Sequence, residues 1–377
     1  MSAPAAEASP AWIFDADGHA VEPDAVWTEL LPRAFRSYAP RVVAYEDHFR
    51  YACNGRLGFR IHAAPESVGA PGETTRRGSA GAVTRGGAEP GARLEDMALD
   101  AIARAAIYPT QGLMIQGVAE RAPALALCRA VNDWVADYCR RAPGRLLGIG
   151  TLPMADCADA LDEARRCVER LGMRGVWRRP EHWSGIPRLH DPGHAPLFAY
   201  LAEAGVPLAI HPGLSGVVPY DYFGERFEED YAAMHAVHFP VEQMMSLTEA
   251  IAFGILERHP ALRLAFLESG AVWALAHLHR LDEHAETFGF PRGGLSLRPS
   301  EYFARQCFVS CEGPEPGLDR MLAAYPGSVV FASDYPHGDC TFPGSTRPLL
   351  ESPELDVESR ERVLRANALR LYGVDAA

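Results

Sequence analysis

The chain carries eight cysteines but no Cys-x-x-Cys pair and no framework spacing, which excludes a disulfide scaffold and points to a reduced, cytoplasmic protein. No basic stretch stands out, and the formal net charge is −13. Nucleic-acid binding depends on clustered Lys and Arg that neutralise phosphates, so no nucleic-acid partner is expected. No apolar run approaches the length of a membrane span, and residues 1–10 lack the positive start and apolar segment of a secretory signal, so no membrane partner is expected either. No glycine-rich fingerprint follows the first apolar run, which removes the main support for an open nucleotide-binding sheet.

What is present is an ordinary globular composition, 48% hydrophobic and 23% charged, in a chain of 377 residues. Eight strand-like apolar runs recur, around residues 12–17, 105–110, 146–150, 175–177, 206–210, 262–267, 307–310 and 329–333. Helical patterns separate them, at 94–104, 120–141, 155–171, 194–204, 241–258, 271–286 and 317–325, with a last one at 357–371. The helix at 241–258 is expected to start at Pro240. Alternating strands and helices in that number predict an α/β fold, a single-domain (β/α)8 TIM barrel over residues 11–377. Residues 41–93 interrupt the alternation with a hairpin signal at Asn54-Gly55 and then a Gly-, Ala-, Ser- and Arg-rich tract. An insertion directly after the first strand lies over the barrel mouth, so 41–93 is expected to be a cap, with 66–92 its mobile part. Residues 1–10 are expected to be disordered.

Several runs stop abruptly in chemistry-bearing residues. The first ends in Asp15-Ala16-Asp17-Gly18-His19-Ala20-Val21-Glu22-Pro23, and three later ones end in His211, Glu268 and Asp334. In a strand, residues two apart share a face, so Asp17 and His19 point the same way. A carboxylate and an imidazole suit Zn²⁺, Mn²⁺ or Fe²⁺, but two donors hold none of these firmly. In a barrel the strand ends converge at one mouth, which brings His211, Glu268 and Asp334 to the same place.

Five pieces, Asp15-x-Asp17-x-His19-x-x-Glu22-Pro23, His211-Pro212-Gly213, Phe266-Leu267-Glu268-Ser269-Gly270, Ser333-Asp334-Tyr335-Pro336-His337 and Asn367-Ala368-x-x-Leu371-Tyr372-Gly373, together resemble the amidohydrolase-related family. The nearest branch holds aminocarboxymuconate-semialdehyde decarboxylase and the γ-resorcylate-type decarboxylases. The resemblance implies one divalent ion (Zn, Mn or Fe) bound by Asp17, His19, His211 and Asp334, with Asp17 standing where the family has its first histidine. It also implies a homodimer. Glu268 departs from the histidine usual in the decarboxylases. It reads either as a base, which needs its pKa raised by burial, or as a further metal ligand. The fourth strand ends in Trp177-Arg178 with no lysine to form a carbamate bridge, so a mononuclear centre is expected.

Around that centre, His238 is a candidate catalytic or substrate-contacting residue because its loop follows the fifth strand. Arg178 is a candidate partner for a substrate carboxylate, and His337 and Trp177 are candidate substrate contacts. His277 and His279 sit two apart on a helix, face different sides and cannot close on one ion. Glu268 and Asp334 are the candidate proton carriers. This apparatus serves two reactions on a small, carboxylate-bearing, aromatic or unsaturated molecule. The first is hydrolysis by metal-activated water, which Glu268 in place of histidine favours. The alternative is non-oxidative decarboxylation. A third reading, a barrel without metal that serves as a binding module, predicts broken donor positions, whereas all of them are filled.

Overall fold

A computed structural model describes residues 12–46, 48–58, 85–180, 186–213, 223, 226–228, 230–338 and 340–375. Eight parallel strands form one sheet: β1 (Ile13–Ala20), β2 (Ile102–Pro109), β3 (Leu146–Thr151), β4 (Gly175–Arg178), β5 (Leu208–Ile210), β6 (Leu264–Phe266), β7 (Cys307–Cys311) and β8 (Val329–Phe331). Their spatial order is their sequence order, with helices between them, which is the expected (β/α)8 barrel. Both faces of these strands are covered, so they read as near-continuous apolar runs rather than alternating ones.

The barrel interior is filled by Phe14, Tyr108, Ile149, Trp177, Phe308 and Val330, among others, all essentially solvent-free. The C-terminal helix plugs its lower end. There the Tyr372 ring stacks on Phe14 at 5.5 Å, and its hydroxyl donates to the Ala16 carbonyl at 2.6 Å. The closing Asn-Ala-x-x-Leu-Tyr-Gly segment therefore belongs to the floor. Asn367 extends that role by donating to the Pro326 and Val329 carbonyls at 3.0 and 2.7 Å.

Several boundaries differ from the sequence pattern. The helix expected from Pro240 runs instead over Tyr231–Ala252 with Pro240 inside it, and Asp230 caps it by accepting from the Ala233 N–H at 2.9 Å. A proline removes one backbone donor, but the turns before it are held by buried Met234, His238 and Phe239, the first two packed on Phe223. The helix expected over 94–104 is Pro90–Leu99; Ala101, at φ 55°, turns the chain so that Ile102 opens β2.

The described part of the insertion begins with a three-stranded antiparallel sheet (Arg41–Ala44, Phe49–Cys53, Arg56–Leu57). It turns at Asn54-Gly55, whose φ values of 52° and 71° are what a tight hairpin turn demands. Residues 66–84 of the expected mobile segment lie outside the described residues, as do residues 59–65 and 1–11. From Arg85 the chain is helical again and returns along β1, where Val21 N–H donates to Gly87 O at 2.9 Å. Among the described residues no helix is long and apolar enough to cross a membrane.

Candidate metal centre

β1 is buried over all eight residues, so its polar side chains need internal partners. Asp17 and His19, two apart, share a side, and a register shift between Asp15 and Gly18 turns that side to the barrel mouth although Phe14 and Ala16 line the interior. His19 pairs with Tyr108 of β2, and its Nδ1 lies 2.9 Å from the carbonyl of the next β2 residue, Pro109. His211 follows β5 directly, and its Nδ1 lies 2.6 Å from the Pro212 carbonyl. A carbonyl only accepts, so both imidazoles carry their proton on Nδ1 and present a bare Nε2. Those two Nε2 atoms converge on one carboxylate oxygen: Asp17 Oδ1 is 3.6 Å from His19 Nε2 and 3.4 Å from His211 Nε2.

The donor atoms of Asp17, His19 and His211 all lie within 4.8 Å of one another. Both Asp17 oxygens and both Nε2 atoms are buried with no hydrogen-bond partner among the described residues. Burying such atoms unpaired is costly, and a divalent cation of the borderline class would satisfy all of them. Burial and the neighbouring His337 push the His19 pKa well below its ordinary value, which keeps the ring neutral and able to ligate. The chain contains no lysine at all, so no carbamate can bridge a second ion.

Asp334 joins this group through His19, its Oδ1 lying 3.3 Å from His19 Nε2. The same oxygen is 2.8 Å from His337 Nδ1, and the His337 ring stacks on His19 at 3.9 Å. His19, Asp334 and His337 thus form a second set of mutually close donors that shares one member with the first. Glu268 sits on the other side of His211, with Oε2 3.5 Å from Nδ1 rather than beside Nε2. No set of close donors among the described residues includes it. Glu268 and Asp334 both have positive φ (52° and 53°), a conformation that costs a non-glycine residue strain and recurs where side chains are aimed at a ligand.

The remaining candidates scatter. Trp177 is fully buried beneath the centre, its ring 5.8 Å from His211 and its Nε1 donating to Thr151 Oγ1 at 2.9 Å, so it forms the floor with Tyr108. Arg178 has the opposite parity to Trp177 and faces the helix layer. There burial lowers its pKa to about 10, and the Glu249 carboxylate and the Cys157 thiol are its neighbours. The residue with the inward parity is Arg179, which donates to the Gly213 carbonyl at 2.6 Å and the Leu113 carbonyl at 3.1 Å. His238 lies in the Tyr231–Ala252 helix with Nε2 2.9 Å from Glu242 Oε2. Burial pushes the pKa of the histidine down and that of the acid up. His277 contacts Thr248 and His279 contacts Glu283, well apart from each other's partners.

Three residues that the strand-end pattern left without a role support the centre. Asp15 accepts from Ser333 N–H at 2.9 Å and Ser333 Oγ at 2.6 Å. Glu22 accepts from the N–H groups of Thr110, Gln111 and Gly112 at 3.2, 2.8 and 2.7 Å, which holds the turn directly after Pro109, the β2 residue whose carbonyl faces His19. Gln243 donates to Ile210 O and Leu267 O, each at 2.9 Å, bracing the exits of β5 and β6. Asp15 and Glu22 were visible as extra carboxylates in the opening motif. Gln243 carried no sequence signal.

The family model described as amidohydrolase matches residues 15–374. The 2-amino-3-carboxymuconate-6-semialdehyde decarboxylase of Dictyostelium discoideum is 26% identical over 304 residues, 76% of this chain and 77% of that protein. A γ-resorcylate decarboxylase of Rhodococcus jostii is 26% identical over 273 residues, 69% of this chain and 80% of that protein. The fold is shared with the 5-carboxyvanillate decarboxylase of Novosphingobium aromaticivorans, solved with manganese and 4-hydroxy-3-methoxy-5-nitrobenzoic acid. That likeness has a TM-score of 0.70 at 19% identity and covers 98% of each chain.

Proposed function

The chain belongs to the amidohydrolase family and is an enzyme of that superfamily, and within it we propose a divalent-metal-dependent, non-oxidative decarboxylase of a small aromatic or unsaturated carboxylic acid. The observation that carries this reading is the convergence of Asp17 and the two bare Nε2 atoms of His19 and His211 in a buried pocket of unpaired donors. Asp334 beside His19 completes the set that would hold the ion. Manganese fits this donor set of carboxylate and imidazole, and it is the metal carried by the structurally similar carboxyvanillate decarboxylase. When bound, the ion supplies positive charge that orients the substrate's carboxylate and neighbouring oxygen.

The chain's own residues do the rest. Trp177 and Tyr108 close the floor beneath the histidines and keep bulk water from below. The Asp334 carboxyl, whose Oδ1 lies 2.8 Å from the His337 imidazole, would relay through the oxygen not given to the ion the proton that replaces CO₂ on the ring carbon. Glu268, at Nδ1 of His211, fixes the orientation of that ring. Hydrolysis, which the glutamate favoured on sequence grounds, gives way on two counts. The two curated relatives above are decarboxylases, and the carboxylate lies on the side of His211 away from its bare nitrogen.

Manganese-loaded protein incubated in D₂O with hydroxybenzoates bearing an ortho hydroxyl should release CO₂ and yield a product with one ring deuterium. Excess EDTA should abolish turnover. Cleavage products formed without CO₂ from an amide, lactone or diketone panel would restore the hydrolytic reading. Glu268→Gln should retain one manganese per chain and lose about 10²-fold or more in kcat, the usual range for removing a group that acts in proton transfer or its alignment. Metal lost along with turnover would make Glu268 a ligand instead.

A further inference from the structure

Seven of the eight strand junctions in the barrel are joined by parallel ladders, the one between β1 and β2 with register shifts, and the eighth, between β8 and β1, is a seam of a different kind. Across it, Asp334 N–H donates to Asp17 O at 2.9 Å and His19 N–H donates to Tyr335 O at 2.6 Å. The carboxylate of Asp15 takes the N–H and hydroxyl of Ser333. The candidate donors lie on both sides of this seam, Asp17 and His19 on β1 and Asp334 beyond β8. Any slack here changes the spacing of the donors themselves.

One side chain from outside the barrel is set into the seam. Arg93, on the helix Pro90–Leu99 that returns from the insertion, is 1% exposed. Its Nη1 donates to the His19 carbonyl at 2.9 Å and to the Tyr335 carbonyl at 3.3 Å, one acceptor from each side. Its Nη2 is 3.7 Å from Asp15 Oδ2, and the guanidinium lies over the Tyr335 ring at 4.4 Å. The Tyr335 hydroxyl in turn donates to Asp96, on the same helix as Arg93. Gly18, between the two β1 donors, leaves room for this group, because a β-carbon there would collide with Nη2 and come within 2.7 Å of Asp15 Oδ2.

We propose that Arg93 is a positioning residue for the metal centre, a single guanidinium that holds β1 and β8 at the spacing at which His19 and Asp334 can share an ion. A planar fork can engage two carbonyls and a carboxylate at once, whereas an ammonium on a flexible stem cannot hold the same three partners in one plane. Burying a guanidinium is costly unless its donors are used, and here the partners are the backbone of a donor residue and the residue after another. The proposal also gives the insertion a task, since its return helix delivers the clamp. It rests on the metal-dependent reading above.

The test is manganese affinity of the full-length, metal-stripped protein, followed by the electron paramagnetic resonance signal of free Mn²⁺, together with the spectrum of the bound ion and the melting temperature. Wild type should bind one ion. Arg93→Met, which keeps the apolar stem, and Arg93→Lys should bind about 10- to 100-fold more weakly, the usual cost of losing a group that orients a ligand. Their bound-ion spectra should be altered at temperatures well below melting. Gly18→Ala, which pushes on the guanidinium from β1, should shift affinity in the same direction. A purely structural role would lower the melting temperature and leave affinity and spectrum alone, and that result would overturn the proposal. If Arg93→Met does not fold, Arg93→Lys decides, and an affinity within about twofold of wild type would sink the idea. Failure of the wild type to take up manganese would instead remove the metal reading itself, which separates the two claims.

Discussion

His211→Ala is expected to abolish stoichiometric manganese binding and to lower kcat/KM by about three orders of magnitude or more. The estimate follows from the several kcal/mol that a bound divalent ion contributes to charge stabilisation, at about 1.4 kcal/mol per factor of ten. His211 is one of three donors whose atoms lie within 4.8 Å of one another, and its Nε2 has no hydrogen-bond partner among the described residues. Removing it leaves Asp17, His19 and Asp334, with one imidazole in place of two, too weak a set to retain the ion against chelator. The loss should be specific to the centre. Nδ1 of the His211 ring meets the Pro212 carbonyl at 2.6 Å and Glu268 Oε2 at 3.5 Å, and the backbone bond from its N–H to Arg178 O at 3.0 Å survives in alanine. Elemental analysis after purification and dialysis, read beside the steady-state rate, checks both halves. A variant that keeps one manganese and an activity within about tenfold of wild type would mean the ion sits elsewhere.

The second large effect is on stability. Trp177→Ala is expected to cost about 3–5 kcal/mol, the range for deleting a large aromatic side chain from a closed core. Trp177 is 0% exposed inside the barrel, packed among Phe14, Tyr108, Ile149 and neighbours, and a barrel interior ringed by ladder hydrogen bonds cannot collapse around the hole. Trp177→Phe keeps a ring but loses the 2.9 Å bond from Nε1 to Thr151 Oγ1, a smaller loss of about 1 kcal/mol. Denaturant midpoints for the pair, set beside KM, separate floor from substrate contact. A floor residue shifts the midpoint first, whereas a direct contact would raise KM in Trp177→Phe with the midpoint unchanged.

Much of the architecture was legible because parallel strands covered on both faces are written as short apolar runs, and the barrel's polar residues are written where those runs stop. β1, β3, β7 and the exits carrying His211, Glu268 and Asp334 could be read in this way. The pattern blurred wherever one residue decides a face. Arg178 and Arg179 are adjacent at the end of β4, and a strand's period of two sends one to the helix layer and the other toward the Leu113 and Gly213 loops. Pro240 looked like a helix start because a proline at the first turn is unremarkable. Only the packing of the residues before it carries the helix through.

The sequence alone determined the number and order of the strands and which residue types stand at their ends, since burial imposes apolarity locally and each strand reports its own burial. The tertiary structure decided which of those ends share a point, which nitrogen each histidine turns inward, and on which side of His211 Glu268 comes to rest. Those outcomes depend on backbone carbonyls and loops contributed by other strands. They also depend on closure of β8 against β1, where Asp15 and Arg93 act across a separation of hundreds of residues that no local pattern encodes.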